Sequence, residues 1–164
     1  MPNLNKGVNV DKLLRFRHKV EADPTQADRN KVFVAEWVGG DEAQIDYGGR
    51  SINIGGDNPN AMEMLLMAFA ACDIDVIAMH CSFIGIKIRR LSIEARGHYN
   101  VQSYLGIEGT PGSGYDDISY TIHLDAPGIS NEDMAYLRER LEKSSPVGDS
   151  LGRMIPMRLE FEAG

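Results

Sequence analysis

The sequence predicts an α+β fold, on three observations. Strand-like and helix-like segments follow the order βββ-α-ββ-α-β, which groups the strands instead of alternating them singly with helices. The chain has 164 residues, enough for one domain with a real core. Its centre holds a long apolar run, MEMLLMAFAACDIDVIAMHC, from Met62 to Cys81, which reads as a helix that other elements must cover.

The elements follow in order. Val10 to Ala22 places Leu13, Leu14, Phe16 and Val20 near helical spacing, so a short amphipathic helix is expected. Asp23 to Asn30 is a polar connector. Lys31 to Val38 alternates as a strand and stops at Gly39-Gly40. AQIDYGG and RSINIGG read as two further strands split at Gly48-Gly49, which completes a three-stranded antiparallel meander. In GDNPNAME, Asn58 suits a helix cap and Pro59 a first helical position. That helix is expected to reach about Phe83 and to end at Gly85. Ile86 to Asn100 reads as a long strand whose alternation slips at Arg89-Arg90. Residues 101–117 read as a loop, and Ile118 to Pro127 as a strand ended by Pro-Gly. SNEDMAYLRERLEKS is a second helix, with Ser130 as cap and Asp133 three residues on. Met157 to Ala163 alternates cleanly as a last strand.

Composition excludes some classes of function. The net charge is -7, against the basic face that phosphate binding requires, and KIRR (Lys87 to Arg90) is the one basic cluster. No nucleic-acid partner is expected. A membrane span is not expected either. Asp73 and Asp75 interrupt the central run, and each would cost about 2.5–3.5 kcal/mol at the centre of a bilayer. The N-terminus lacks the apolar run of a secretory signal. Two cysteines do not make a disulfide scaffold, so reduced thiols in a cytoplasmic setting are expected. GTPGSG (Gly109 to Gly114) lacks the strand–loop–helix context and the lysine of a phosphate cradle. His18, His80, His98 and His123 are scattered, so no metal and no organic cofactor is expected.

The central helix carries both thiols. Leu65, Phe69, Val76 and Met79 share a helical face with Cys72, which places this thiol on an apolar stripe near mid-helix. A buried, inert cysteine would look the same. Cys81 lies nine residues on, roughly 13 Å away on another face, too far for a disulfide. Apolar residues also occur on further faces of the helix (Met64, Leu66, Met67, Phe69, Ile74, Ile77), more than one small sheet covers. An obligate homodimer is expected.

NPNAMEMLLMAFAAC resembles the signature of the OsmC/Ohr family, in which Asn-Pro, a Glu-Leu pair and small residues lead to a cysteine on a central helix. LEKSSPVGDSL resembles the second family motif, which usually reads Lys-x-Cys-Pro-Val-Ser. GVNVDKLL, YLGIEG and GYDDISYTIHLDA resemble a subgroup with an added N-terminal segment. The resemblance spans nearly the whole chain. It implies residues 1–30 as an N-terminal extension with a short helix and 31–164 as the OsmC-like domain, the two forming one structural unit. It also implies an intertwined homodimer, with antiparallel sheets around long central helices and sites at the subunit boundary.

The implied chemistry is reduction of organic hydroperoxides or hydrogen peroxide. A first thiolate attacks the O–O bond and becomes a sulfenic acid, and a second cysteine closes a disulfide with it. Cys72 matches the first cysteine and Glu63 the glutamate of the Glu-Leu pair. Ser145 stands where the second cysteine is usual, so a sulfenate on Cys72 requires an external thiol. Asp41 in GGDE stands where the Ohr branch carries an arginine, and that role is not transferred to Arg50. Glu63 is nine residues before Cys72, roughly 13 Å along one helix, and approaches a thiol only across a dimer interface. As a first-turn acid it also suits the helix dipole. Asp73 and Asp75 oppose a nearby thiolate. Asp75 falls nearer the face of Cys72, and Asp73 about 100° away. Three readings follow: a Cys72 peroxidase, a catalytically inactive dimer binding a small apolar ligand at the subunit interface, and a structural dimer without chemistry.

Overall fold

A computed structural model describes residues 4–162. The architecture is α+β. Helix α1 (Val10–Ala22) leads through a 3-10 turn (Pro24–Ala27) to strands β1 (Ala35–Gly39), β2 (Glu42–Tyr47) and β3 (Arg50–Ile54). The long helix α2 (Ala61–Phe83), strands β4 (Arg90–Tyr99) and β5 (Tyr115–Asp125), and helices α3 (Asn131–Ser144) and α4 (Pro146–Leu151) complete it. Two antiparallel sheets form, β1-β2-β3 and β4-β5. Grouped strands and antiparallel pairing are what the sequence order implies.

Local chemistry sets the helix ends. Asn9 caps α1 by accepting from the Lys12 N–H at 2.9 Å. Ser130 caps α3 in the expected capping box with Asp133. The start of α2 differs from expectation. Its cap is Asn60, not Asn58, and its first residue is Ala61, two beyond Pro59. The Gly55 N–H donates to the Pro59 carbonyl and the Asn58 N–H to the Gly55 carbonyl, each at 3.0 Å. That closed turn uses up Asn58 before the helix begins.

The core lies between α2, α3 and the β4-β5 hairpin. Ile77, Cys81 and Leu137 are its buried centre, with Leu91, Ile93, Ile122 and Leu124 packed against it. Register explains this set: Leu91 pairs with Leu124 and Ile93 with Ile122, so all four side chains share the face toward α2. Gly97 lets Tyr115 lie across the strand, because a Cβ there would collide with the Tyr115 ring. The Tyr115 hydroxyl then donates to the Met62 carbonyl at 2.6 Å, tying the hairpin to the first turn of α2.

Asn5 ties the N-terminal segment to the end of α2. Asn5, 6% exposed, donates to Ser82 Oγ at 2.9 Å and to the Ile86 carbonyl at 3.0 Å. It accepts from the Ile88 N–H at 2.8 Å. These bonds serve the polar groups of the bend between α2 and β4. They also account for the strand boundary: the long strand begins at Arg90 rather than Ile86, because the Ile86 carbonyl and the Ile88 N–H bond to Asn5 instead of a neighbouring strand.

Other boundaries also move. The first strand spans Ala35–Gly39 rather than Lys31 to Val38, and β5 starts at Tyr115, within the expected loop. The last expected strand is not formed in residues 157–162, and its final residue, Ala163, lies outside the described residues. Met157 is 92% exposed, Leu159 84% and Phe161 91%. A strand exists only when a neighbour accepts its ladder, and no described strand edge reaches this segment.

By length and composition α2 resembles a membrane span. In this fold it packs against β4, α3, α4 and α1.

Candidate functional site

The buried face of α2 is rotated from the expected stripe. Phe69, Asp73, Val76, Ile77, His80 and Cys81 are its buried members, together with Ser82. Phe69 and Val76 belong to the expected stripe, whereas Leu65 is exposed and Cys72 is only half-buried at its edge. The stripe therefore runs through a carboxylate. Asp73 is 1% exposed.

Burying a carboxylate requires a donor. Ser145 supplies it: its hydroxyl donates to Asp73 Oδ1 at 2.5 Å. Ser145 ends α3 and caps α4, accepting on Oγ from the Gly148 N–H at 3.1 Å. Pro146 opens α4, which suits a first helical position. The same Oγ lies 3.7 Å from Cys72 Sγ. Residues 73 apart in the chain thus meet, one a thiol and the other a hydroxyl. Burial pushes the Asp73 carboxyl above the ordinary carboxylate range, and the Ser145 bond partly offsets this.

The weight given to the two aspartates is reversed. Asp75 is exposed. Asp73 does diverge from Cys72 around the helix, but Ser145 bridges the two from another element. An aspartate four residues from Phe69 and Ile77 on a buried face was the available signal, because such a group demands a partner.

The other thiol is enclosed. Cys81 is fully buried in the core, and desolvation, with the Asp133 charge adding to it, pushes it up to about 11. Glu63 stands in the first turn of α2. Its carboxylate accepts from the Asn60 N–H at 2.8 Å while the Glu63 N–H donates to Asn60 Oδ1 at 3.0 Å. In the single chain Glu63 thus completes a capping box. Among the described residues no group of three or more His, Cys, Asp or Glu comes together to hold a metal ion.

Residues 54–160 match the family model for OsmC-like protein. The chain belongs to the OsmC-like family. The match contains α2, both hairpin strands, α3, α4 and hence Cys72, Asp73 and Ser145. Solved structures of OsmC-like folds agree. The chain is similar to an OsmC-like protein from Mycoplasma pneumoniae at 15% identity, covering 76% of this chain and 89% of that one, with TM-score 0.64. It is similar to an OsmC-like hydroperoxide resistance protein from Jannaschia at 15% identity, over 79% and 90%, with TM-score 0.54. An organic hydroperoxide resistance protein OsmC from Legionella pneumophila matches at 13% identity, over 76% and 91%, with TM-score 0.52. No curated protein matches the sequence. At these identities the structures share the OsmC-like fold with this chain.

Proposed function

We propose that this OsmC-like chain is a thiol-dependent peroxidase that reduces organic hydroperoxides or hydrogen peroxide through Cys72. One observation carries the reading: the half-buried Cys72 thiol sits at the junction of α2 with α4, where the group facing it is the Ser145 hydroxyl. A hydroxyl closes no disulfide, and the second thiol of the chain is sealed in the core. Resolution therefore falls to an external thiol. The hydroperoxide resistance named for the Jannaschia and Legionella proteins agrees with this choice of substrate.

The working unit in this proposal is a homodimer in the cytoplasm. Met67 and Ile74 on α2, Trp37 on β1, and Met157, Leu159 and Phe161 in the last segment stay exposed in the single chain. A second copy covers them, and the alternating 157–162 segment gains a strand partner there. Glu63 serves the reaction from the second subunit, since on its own helix it is roughly 13 Å from Cys72.

The test is consumption of tert-butyl hydroperoxide with dithiothreitol as reductant. Cys72→Ser is expected to abolish it and Cys81→Ser to spare it. Equal rates for wild type and Cys72→Ser would overturn the peroxidase reading. A second reading, binding of a small apolar ligand without turnover, is favoured by an open groove of about 480 Å³ lined by Ile77, Ile122, Leu124, Met134 and Leu137. Light scattering that shows a folded monomer at micromolar concentration would remove the dimer from both readings.

A further inference from the structure

We propose that Asp73, acting through Ser145, is the proton acceptor for the Cys72 thiol, so that the three side chains form a relay in place of the usual pair of thiols. The inference rests on the reading of Cys72 as the peroxidatic residue. Asp73 is the positioning residue of this relay, and Cys72 the group that meets the peroxide.

The geometry fixes the direction of each bond. A serine hydroxyl has one hydrogen and two acceptor sites. The hydrogen of Ser145 goes to Asp73 Oδ1 at 2.5 Å. One acceptor site takes the Gly148 N–H at 3.1 Å. The remaining site faces Cys72 Sγ at 3.7 Å, so the thiol is the donor: S–H to Oγ, and Oγ–H to carboxylate. A hydrogen bond of 2.5 Å to a carboxylate that is 1% exposed is the short, charge-assisted kind. Burial also makes this carboxylate a better base than an exposed one, in keeping with its raised pKa.

The chemistry balances without a further group. The Cys72 proton moves to Ser145 Oγ as the Ser145 proton moves to Asp73, leaving a thiolate and a carboxylic acid. The thiolate sulfur bonds to one peroxide oxygen while the O–O bond breaks. The departing alkoxide takes the Ser145 Oγ proton as Ser145 takes back the one that Asp73 holds, so the alkoxide leaves as an alcohol and Cys72 becomes a sulfenic acid. A first external thiol then condenses with the sulfenic acid, releasing water. A second releases Cys72 as a thiol and leaves with the first as a disulfide. Total charge at the site stays constant through the proton transfer, so the repulsion between a thiolate and an ionised carboxylate never arises.

Other titratable groups approach Asp73 from each packed element. Tyr120 comes from β5, Glu142 from α3, Asp149 from α4 and Arg153 from just beyond it, with Asp116 and Asp117 at the β5 rim of the same hollow. Asp73 is linked to the thiol through its bond to Ser145. The other acids lack that link.

The experiment is the pH dependence of Cys72 alkylation by iodoacetamide, beside tert-butyl hydroperoxide consumption with dithiothreitol, on the full chain. Wild type is expected to show a rate plateau below the ordinary thiol range of about 8.5, down to the titration of Asp73. Asp73→Asn and Ser145→Ala are each expected to lose the plateau and fall about tenfold per pH unit, so that at pH 6.5 both are at least about tenfold slower. Ser145→Thr, which keeps the hydroxyl, restores the plateau. Asp73→Asn and Ser145→Ala alkylating as fast as wild type or faster, with the same slope, would overturn the relay. A protein that alkylates with the plateau yet consumes no hydroperoxide would retain the relay and refute the peroxidase reading. Either variant alone decides the matter if the other does not fold.

Discussion

Ser145→Cys restores a thiol at the second motif position and tests whether the α3–α4 junction truly faces Cys72. The wild-type Oγ–Sγ separation is 3.7 Å, and a small side-chain rotation brings two sulfurs to bonding distance. The cross-link joins residues 73 apart. For a loop of that length the chain-entropy relation gives about 4 kcal/mol of stabilisation, before any strain. At about 2–4 °C per kcal/mol for a domain of this size, the oxidised variant should melt roughly 8–16 °C above the same variant reduced. Comparison within one variant cancels the lost Ser145 cap and its bond to Asp73. Intact mass after mild peroxide should fall by two hydrogens within a single chain, whereas wild type should not lose them. Inter-chain dimers on a non-reducing gel, or a sulfenate without cross-link, would refute the placement of Ser145 against Cys72 and with it the relay.

Three further outcomes are expected. Asn5→Ala should destabilise the protein by roughly 2–4 kcal/mol in urea denaturation, because three polar groups around the α2–β4 bend lose their partner. Asp73→Asn should be more stable than wild type at pH 7. A carboxyl whose pKa is raised by folding stabilises at low pH and loses that contribution as pH rises through the folded value, so the difference between the two proteins should vanish below about pH 4. Cys81 should resist iodoacetamide in the folded protein at pH 8 and react only on unfolding, read by peptide mass spectrometry, since burial holds its thiol at about 11.

Much of this protein is legible in its residues. The order of elements as far as α3, the antiparallel pairing, α1 over Val10–Ala22, the capping box at Ser130 and the position of Cys72 on one long helix all follow from local signals: periodicity, cap chemistry and glycine turns. So does the absence of a second thiol at Ser145. Such features depend on neighbours a few residues away, and the sequence displays those neighbours.

Tertiary structure decided the rest, for one physical reason: the deciding partner is remote in sequence. Asn58 loses the cap of α2 because a turn through Gly55 claims it. Ile86 and Ile88 leave the strand because Asn5 takes their backbone groups. Met157 to Phe161 alternates as a strand should, yet among the described residues no strand pairs with it. Asp73 looks like a surface charge beside a thiol until Ser145, brought from the far end of α3, gives it a hydrogen bond and allows it to be buried. Helical angle alone set Asp73 apart from Cys72. A bridging hydroxyl on another element joined them, and no periodicity within α2 contains that information.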